Sequence, residues 1–459
     1  MAAPTLQQQT SASTLLMTQL RKIGNSIGRP LFAVVLALIA GSIVIILTTP
    51  GALPDRLGAV VTAFSDLYQG SFGTAQTLSS TLVRVGPLIL TGLSVAIAFR
   101  AGLFNIGAEG QLAVGAMTAV IISSALPNLP GILLVPLMII GSMLTGAIWG
   151  GIVGILKAWR GAHEVVTTIM LNWIAFYVTD FLITGPFKDP KQSDVTSTLP
   201  SNGIIPTVAV FYNQTLGTFL PKITNPEAYL VDMGIFVSLL ALVVYWFITS
   251  RTAFGYEVRV IGQNPKAARY AGIPIKRNLF LVMALAGAFS GLAGALNVMG
   301  QFPYHLISST FSIDSTGFDA IGVALLGRTT AIGVLFGSLL FGGLRQGGTF
   351  MQADAGIPGD LVYIIQALVL FSIAAEFLPT LQRSLPSWAR LSRRPAIVPS
   401  ITGSTEAASG MIESGSTGST TNEASATQGS SVAVVERTAE EPDTLSEYRE
   451  LPRRTSEEE

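Results

Sequence analysis

Cysteine is absent from the 459 residues. That excludes disulfides, thiolate catalysis and cysteine-held zinc or iron–sulfur centres. Histidine occurs only at His163 and His305, too few for a multi-histidine metal site. Charge is scarce as well: 12% of residues are Asp, Glu, Lys or Arg, about half of the ~25% typical of soluble domains. A surface facing water throughout needs more. The 49% of apolar residues fits membrane spans instead, each of which takes ~20 mainly apolar residues to cross the hydrocarbon. The chain has no G-x-x-x-x-G-K-[ST] phosphate loop and no H-E-x-x-H pair, and no catalytic constellation emerges. A non-enzymatic chain that binds no cofactor and no nucleic acid is therefore expected.

The formal net charge of zero averages two unlike regions. Residues 395–459 carry 12 acidic and 4 basic side chains, which leaves 23 basic and 15 acidic in residues 1–394. The acidic tail is rich in Ser, Thr and Gly and poor in large apolar groups, so it is expected to be a disordered, passive extension. Three regions follow: a polar cytoplasmic segment 1–29, a transmembrane region 30–394 and the tail 395–459.

Apolar stretches run at about 31–47, 84–99, 109–126, 131–156, 164–184, 229–249, 278–299, 317–327, 331–347 and 359–378. They predict an all-α polytopic bundle of about ten crossings, broken or re-entrant helices included. The first stretch is longer than a signal-peptide core, and many spans follow it, so it reads as an uncleaved first helix. Basic residues set the orientation. With the N-terminus in the cytoplasm, Lys157, Arg160, the stretch 251–277 and Arg383, Arg390, Arg393 and Arg394 all fall on the cytoplasmic side. Both termini are then cytoplasmic. Gly146, Gly150 and Gly154 form a tandem G-x-x-x-G row, with further pairs at Gly287/Gly291 and Gly333/Gly337. Such rows let helix backbones approach closely in lipid.

The stretch AGLFNIGAEGQLAVGA (101–116) breaks an apolar region with glycines and a carboxylate. On a lipid-facing helix centre a carboxylate costs ~2.5–3.5 kcal/mol even on the lenient insertion scale. It must face the interior of the bundle, a cavity or a membrane edge. Asn105 suits the N-cap of a new helix, with Glu109 in its first turn. Capping and lining of a solute path both remain open for Asn105, Glu109 and Gln111. A similar break at Gly327–Thr330 follows Asp319, which makes 317–347 a weak echo of 84–126. In 164–184, Glu164, Thr168, Asn172 and Thr179 form a polar row at helical spacing, open to interhelical bonding or solute contact. Gln301, Phe302, Tyr304 and His305 follow the seventh stretch; their aromatics suit either a flat solute face or an interfacial belt. In the basic loop, Asn264 and Pro265 can open a short helix 265–271 that Gly272 and Pro274 end. It carries Lys266 and Arg269, and so short a helix needs a surface to dock against.

FNIGAEGQ (104–111), HEVVTTIMLNWIA (163–175), FGYEVRVIGQNPKAARYAGI (254–273) and GFDAIGVALLGR (317–328) resemble, in order, motifs of the permease subunits of bacterial ABC importers for nucleosides and simple sugars. The resemblance spans roughly residues 30–390. It implies a second, paralogous permease, two cytoplasmic ATPase domains that hold the ATP and magnesium, an extracytoplasmic solute-binding lipoprotein, and a place in the cytoplasmic membrane. It also implies that Asn264, Pro265, Lys266, Arg269, Tyr270 and Gly272 form the helix that couples to the ATPase. Thr168, Asn172, Gln301, Phe302 and Asp319 join Asn105, Glu109 and Gln111 as solute-path candidates. The FNIGAEGQ form is closer to the nucleoside branch than to ribose-type permeases, which carry a Gly-Ile-Asp-Leu-Ser element there. The alternatives are a simple-sugar permease and, from a different class, an ion-coupled carrier using Glu109 or Asp319.

Overall fold

The computed structural model describes residues 32–308, 316–354 and 356–374. The expected N-terminal segment, the acidic tail and the arginines at 383–394 lie outside the described residues. Fourteen α-helices are described: α1 (Phe32–Thr48), α2 (Leu53–Tyr68), α3 (Ala75–Arg100), α4 (Ala108–Ala125), α5 (Gly131–Arg160), α6 (Glu164–Thr184), α7 (Val208–Gln214), α8 (Gly234–Arg251), α9 (Ala253–Gln263), α10 (Pro265–Tyr270), α11 (Ile275–Gly300), α12 (Thr316–Leu326), α13 (Ala331–Asp354) and α14 (Asp360–Ala374). Among the described residues the β features are isolated bridges only. Within the described residues, each of the ten apolar stretches read from the sequence falls on a helix. Six of them, α3, α4, α5, α6, α8 and α11, are long and apolar enough to cross a membrane alone. The protein is a polytopic helical membrane bundle.

Two stretches lying between the expected spans contain helices. In α2, Asp55 accepts the Ala52 N–H (3.1 Å) and Pro54 opens the first turn. Asp55, Arg56 and Asp66 keep that segment from reading as a span. The short α7 is capped by Thr207, whose hydroxyl accepts the Val210 N–H (3.3 Å).

The glycine rows read separately from the sequence turn out to face each other. A Cβ at Gly287 would lie 2.0 Å from the Gly146 carbonyl oxygen, and one at Gly291 2.2 Å from that of Ser142. Gly150 meets the Met283 carbonyl in the same way, at 2.4 Å. On its other side α11 meets α4, where a Cβ at Gly294 would lie 2.1 Å from the Leu112 carbonyl. Bare backbones thus pack α5, α11 and α4 into one slab, as dispersion-driven association in lipid requires. The third pair behaves differently. Gly333 closes on Gly327 and Gly337 on Val323, inside the hairpin of α12 and α13.

One end of the bundle is basic. Arg100 Nε donates to the Thr329 carbonyl (3.0 Å), as does the Tyr245 hydroxyl (2.7 Å). The two chain breaks, after α3 and after α12, therefore sit at the same end, as the echo between the regions suggested. Their first helices differ in length, 26 residues in α3 against 11 in α12. α5 ends at this end too: Gly161 at φ 67 stops it, and Lys157 pairs with Glu164 at 2.7 Å. At the opposite end, loop segments tie together through Thr196 N to Leu306 O, Leu199 N to Tyr304 O and Ile205 N to Met299 O, each 2.9 Å.

Candidate solute path and its buried polar support

The break between α3 and α4 is held by a closed set of hydrogen bonds. Asn105 Nδ2 donates to Ser94 Oγ and to Gln111 Oε1, both at 3.0 Å, and Gln111 Nε2 donates back to Asn105 Oδ1 (3.1 Å). The sequence places Asn105 at the N-cap of α4; the structure gives that position to Gly107. Asn105 Oδ1 instead accepts the Gly107 N–H (3.1 Å), which turns the chain one step earlier. Gly107 has no side chain with which to satisfy the first N–H groups of α4. A neighbouring helix does so. Asn172 of α6 accepts the Gly110 N–H (2.9 Å) and donates to the Ile106 carbonyl (2.9 Å), so it caps α4 from outside. Gly110 makes the approach possible, since a Cβ there would lie 2.9 Å from the Asn172 Cα.

Glu109, in the first turn of α4, accepts a hydrogen bond from the Gly317 N–H in the first turn of α12. One carboxylate therefore sits between the positive ends of two helices, an arrangement that offsets its desolvation. The polar row of α6 is its buried stripe: Thr168, Asn172, Ala175 and Thr179 all face inward. At its start Glu164 pairs with Lys157 of α5, and Asn172 bonds across to the α4 break, while the Thr168 and Thr179 hydroxyls donate to carbonyls of their own helix. Asn105, Glu109, Gln111, Thr168 and Asn172 are brought together here, each no more than 3% exposed.

Gln301 and Phe302 lie elsewhere, at the end opposite the basic one. Pro87 inside α3 has no N–H for the Val83 carbonyl, and Gln301 Nε2 reaches that oxygen at 3.4 Å. Beside it, Asp232 accepts the Gly234 N–H (2.7 Å), and burial pushes its carboxyl up to about 6. Phe302 is 85% exposed and meets Tyr304 edge-on at 6.1 Å.

Asp319 extends the buried network from Glu109 toward α13. It pairs with Arg345 at 3.0 Å, and Arg345 Nη1 donates to Thr316 Oγ1 (3.3 Å). The Arg345 guanidinium also lies 5.9 Å from the centre of the Tyr363 ring of α14. Arg84 of α3, whose Nε donates to Gln346 Oε1 (2.9 Å), joins these residues around a cavity of about 390 Å³. Thr349, Gln352, Asp360 and Tyr363 line it further. Reading the sequence for motifs missed Arg84 and Arg345. Their signal was present as single arginines inside apolar runs, LVRVGPLIL and GGLRQGG, where an ionisable residue marks function by default.

At the basic end, α9 packs down through Gly255, Val258 and Ile261, and a Cβ at Gly262 would lie 2.1 Å from the Arg100 carbonyl. Asn278 of α11 ties to it by donating to Glu257 (2.7 Å). α10 follows as the sequence predicts. Asn264 Oδ1 accepts the N–H groups of Lys266 (3.0 Å) and Ala267 (3.1 Å), Pro265 is the first residue, and Gly272 at φ 74 ends the turn. Ala268 is buried, while Lys266 and Arg269 are exposed and Tyr270 is 94% exposed.

The profile of the family described as "Branched-chain amino acid transport system / permease component" matches residues 77–374. The guanosine ABC transporter permease protein NupP of Bacillus subtilis is 37% identical over 348 residues, covering 76% of this chain and 93% of NupP. The nucleoside ABC transporter permease protein NupB of Lactococcus lactis is 36% identical, covering 76% of this chain and 91% of NupB. The glucose ABC transporter permease protein TsgB13 of Haloferax volcanii is 33% identical, covering 76% of this chain and 88% of TsgB13. With these matches over most of its length and six helices able to cross a membrane, this chain belongs to that family of ABC transporter permease components.

Proposed function

We propose that this chain is the membrane-spanning permease subunit of an ATP-driven importer that brings nucleosides across the cytoplasmic membrane. The observation that carries the reading is α10, a side-chain-capped helix held outside the spans with Lys266, Arg269 and Tyr270 exposed. Excess Lys and Arg at that end assigns it to the cytoplasm. A short, rigid projection of this kind suits the cleft of a cytoplasmic ATPase, which holds the ATP and magnesium and supplies the hydrolysis. Asn264, Pro265 and Gly272 fix its ends. The further partners are a second permease of the same kind and a solute-binding lipoprotein on the outer face. Asn105, Glu109, Gln111 and Asn172 support the path by holding the α4 break, with Thr168 packed beside them, and Asp319 does so by holding Arg345.

Nucleosides are favoured because NupP and NupB, named for guanosine and nucleosides, are relatives at 36–37% identity. TsgB13, named for glucose, keeps a simple-sugar permease as the second reading. Uptake of radiolabelled nucleoside by cells carrying the importer decides between them. The expected result is uptake that stops when the ATPase subunit is deleted and that free sugars do not compete. Uptake surviving that deletion would identify an ion-coupled carrier and sink the proposal.

A further inference from the structure

The cavity between α3, α13 and α14 holds two guanidinium groups, Arg84 and Arg345, within the helical belt. Its rim is equally polar: Thr349, Gln352 and Asp360 are exposed, and Tyr363 is 47% exposed. Such a mouth does not suit hydrocarbon, where unmet polar groups are costly and charges more so. The outward faces of α5, α6 and α8 have the opposite character, with Leu144, Ile148, Trp173, Phe181, Phe236 and Phe247 exposed on them. Those are lipid-facing sides. The start of α13 exposes Ile332 and Phe336 in the same way, so the part left for water is the polar far end of α13 with the start of α14, around the cavity.

We propose that this cavity is a solute station on the translocation path, with the flat base of a nucleoside laid on the Tyr363 ring; the assignment rests on the importer reading above. The fit is chemical as well as spatial. At about 390 Å³ the volume falls in the ~300–1,000 Å³ range of small-molecule sites. Tyr363 is half-exposed, and the Arg345 guanidinium, fixed by Asp319, lies over one face of its ring and leaves the other for a base. Asp360 and Gln352 supply acceptors for ribose hydroxyls, and Thr349 supplies a hydroxyl at the same rim. α13 starts at the basic end and the cavity lies near its far end, so the station belongs to the outer half of the path.

The absence of cysteine makes the test clean, because a single introduced thiol reports one position. In the assembled importer, Thr349→Cys and Gln352→Cys are expected to react with a membrane-impermeant maleimide, whereas Ile148→Cys and Trp173→Cys are not. Guanosine at about ten times its half-saturating concentration should slow labelling at the rim roughly tenfold. Tyr363→Ala should raise KM for uptake roughly tenfold and Tyr363→Phe should leave it near wild type, since stacking needs the ring and not the hydroxyl. If one rim variant does not reach the membrane, the other carries the measurement. Rim thiols that never react overturn the assignment of this face to water. Rim thiols that react without guanosine protection, while ATPase-dependent nucleoside uptake continues, overturn the station and leave the importer standing. Protection by glucose alone overturns the substrate class.

Discussion

The break at residues 101–107 leaves over the N–H of Gly110 and the C=O of Ile106, and one amide, that of Asn172, takes up both. Only Asn or Gln carries donor and acceptor side by side on one short planar group. Asn172→Ala strands both backbone groups in a dry interior. Each such loss is ~1–3 kcal/mol in soluble proteins and averages ~0.6 in a membrane bundle, so a destabilisation of about 1–3 kcal/mol is expected. Thermal unfolding in detergent measures it, with Thr168→Val as the control. Thr168 donates only within its own helix, so that change should stay within ~0.5 kcal/mol. Equal melting of both variants would remove Asn172 from its capping role. The sequence showed Asn172 on the inward row of α6 but not its partners, because a cap supplied from 62 residues away has no local spacing to reveal it. Arg345 was harder still. Its partner Asp319, its neighbour Tyr363 and its place beside Arg84 come from three other helices.

Helices were more legible than their partners. Apolar runs of membrane length announce themselves, and every one expected lies on a helix. The G-x-x-x-G rows also announce close packing, yet the spacing is the same whichever helix comes opposite. Only the fold shows that Gly146 and Gly150 mesh with Gly287 and Gly291 while Gly333 folds back on Gly327. α10 is the element whose sequence signals were complete: cap, first-turn proline, terminating glycine. α9, which seats it, was not read, since an 11-residue amphipathic helix with two glycines lacks strong punctuation. Because Lys266 and Arg269 are exposed, reversing both to glutamate should leave insertion and thermal stability within ~0.5 kcal/mol of wild type. Uptake should nevertheless fall about tenfold or more, as like charges oppose docking of the ATPase. Unchanged uptake in Lys266→Glu/Arg269→Glu would count against α10 as the coupling element.

At the scale of the whole molecule, the distribution of side chains over the bundle's outer faces decides what each face meets. α5, α6 and α8 expose large apolar and aromatic groups, as does the start of α13 at Ile332 and Phe336, whereas the far end of α13 and the start of α14 present arginine, aspartate and glutamine around a cavity. A lipid-soluble photoreactive probe applied to the assembled importer should therefore mark peptides from α5, α6 and α8 and spare residues 345–363. Heavy labelling of that stretch would place it against lipid and contradict the face assignment. What the sequence determined by itself is the membrane class, the helices and the capped α10. Each depends on local composition or spacing, and hydrocarbon is an unforgiving solvent that makes such signals strong. The tertiary structure decided which glycine rows mate, that Glu109 joins two helix ends, that Gly107 rather than Asn105 heads α4, and where the arginines meet. Those are relations between residues tens to hundreds of positions apart, and only packing brings them within a few ångströms.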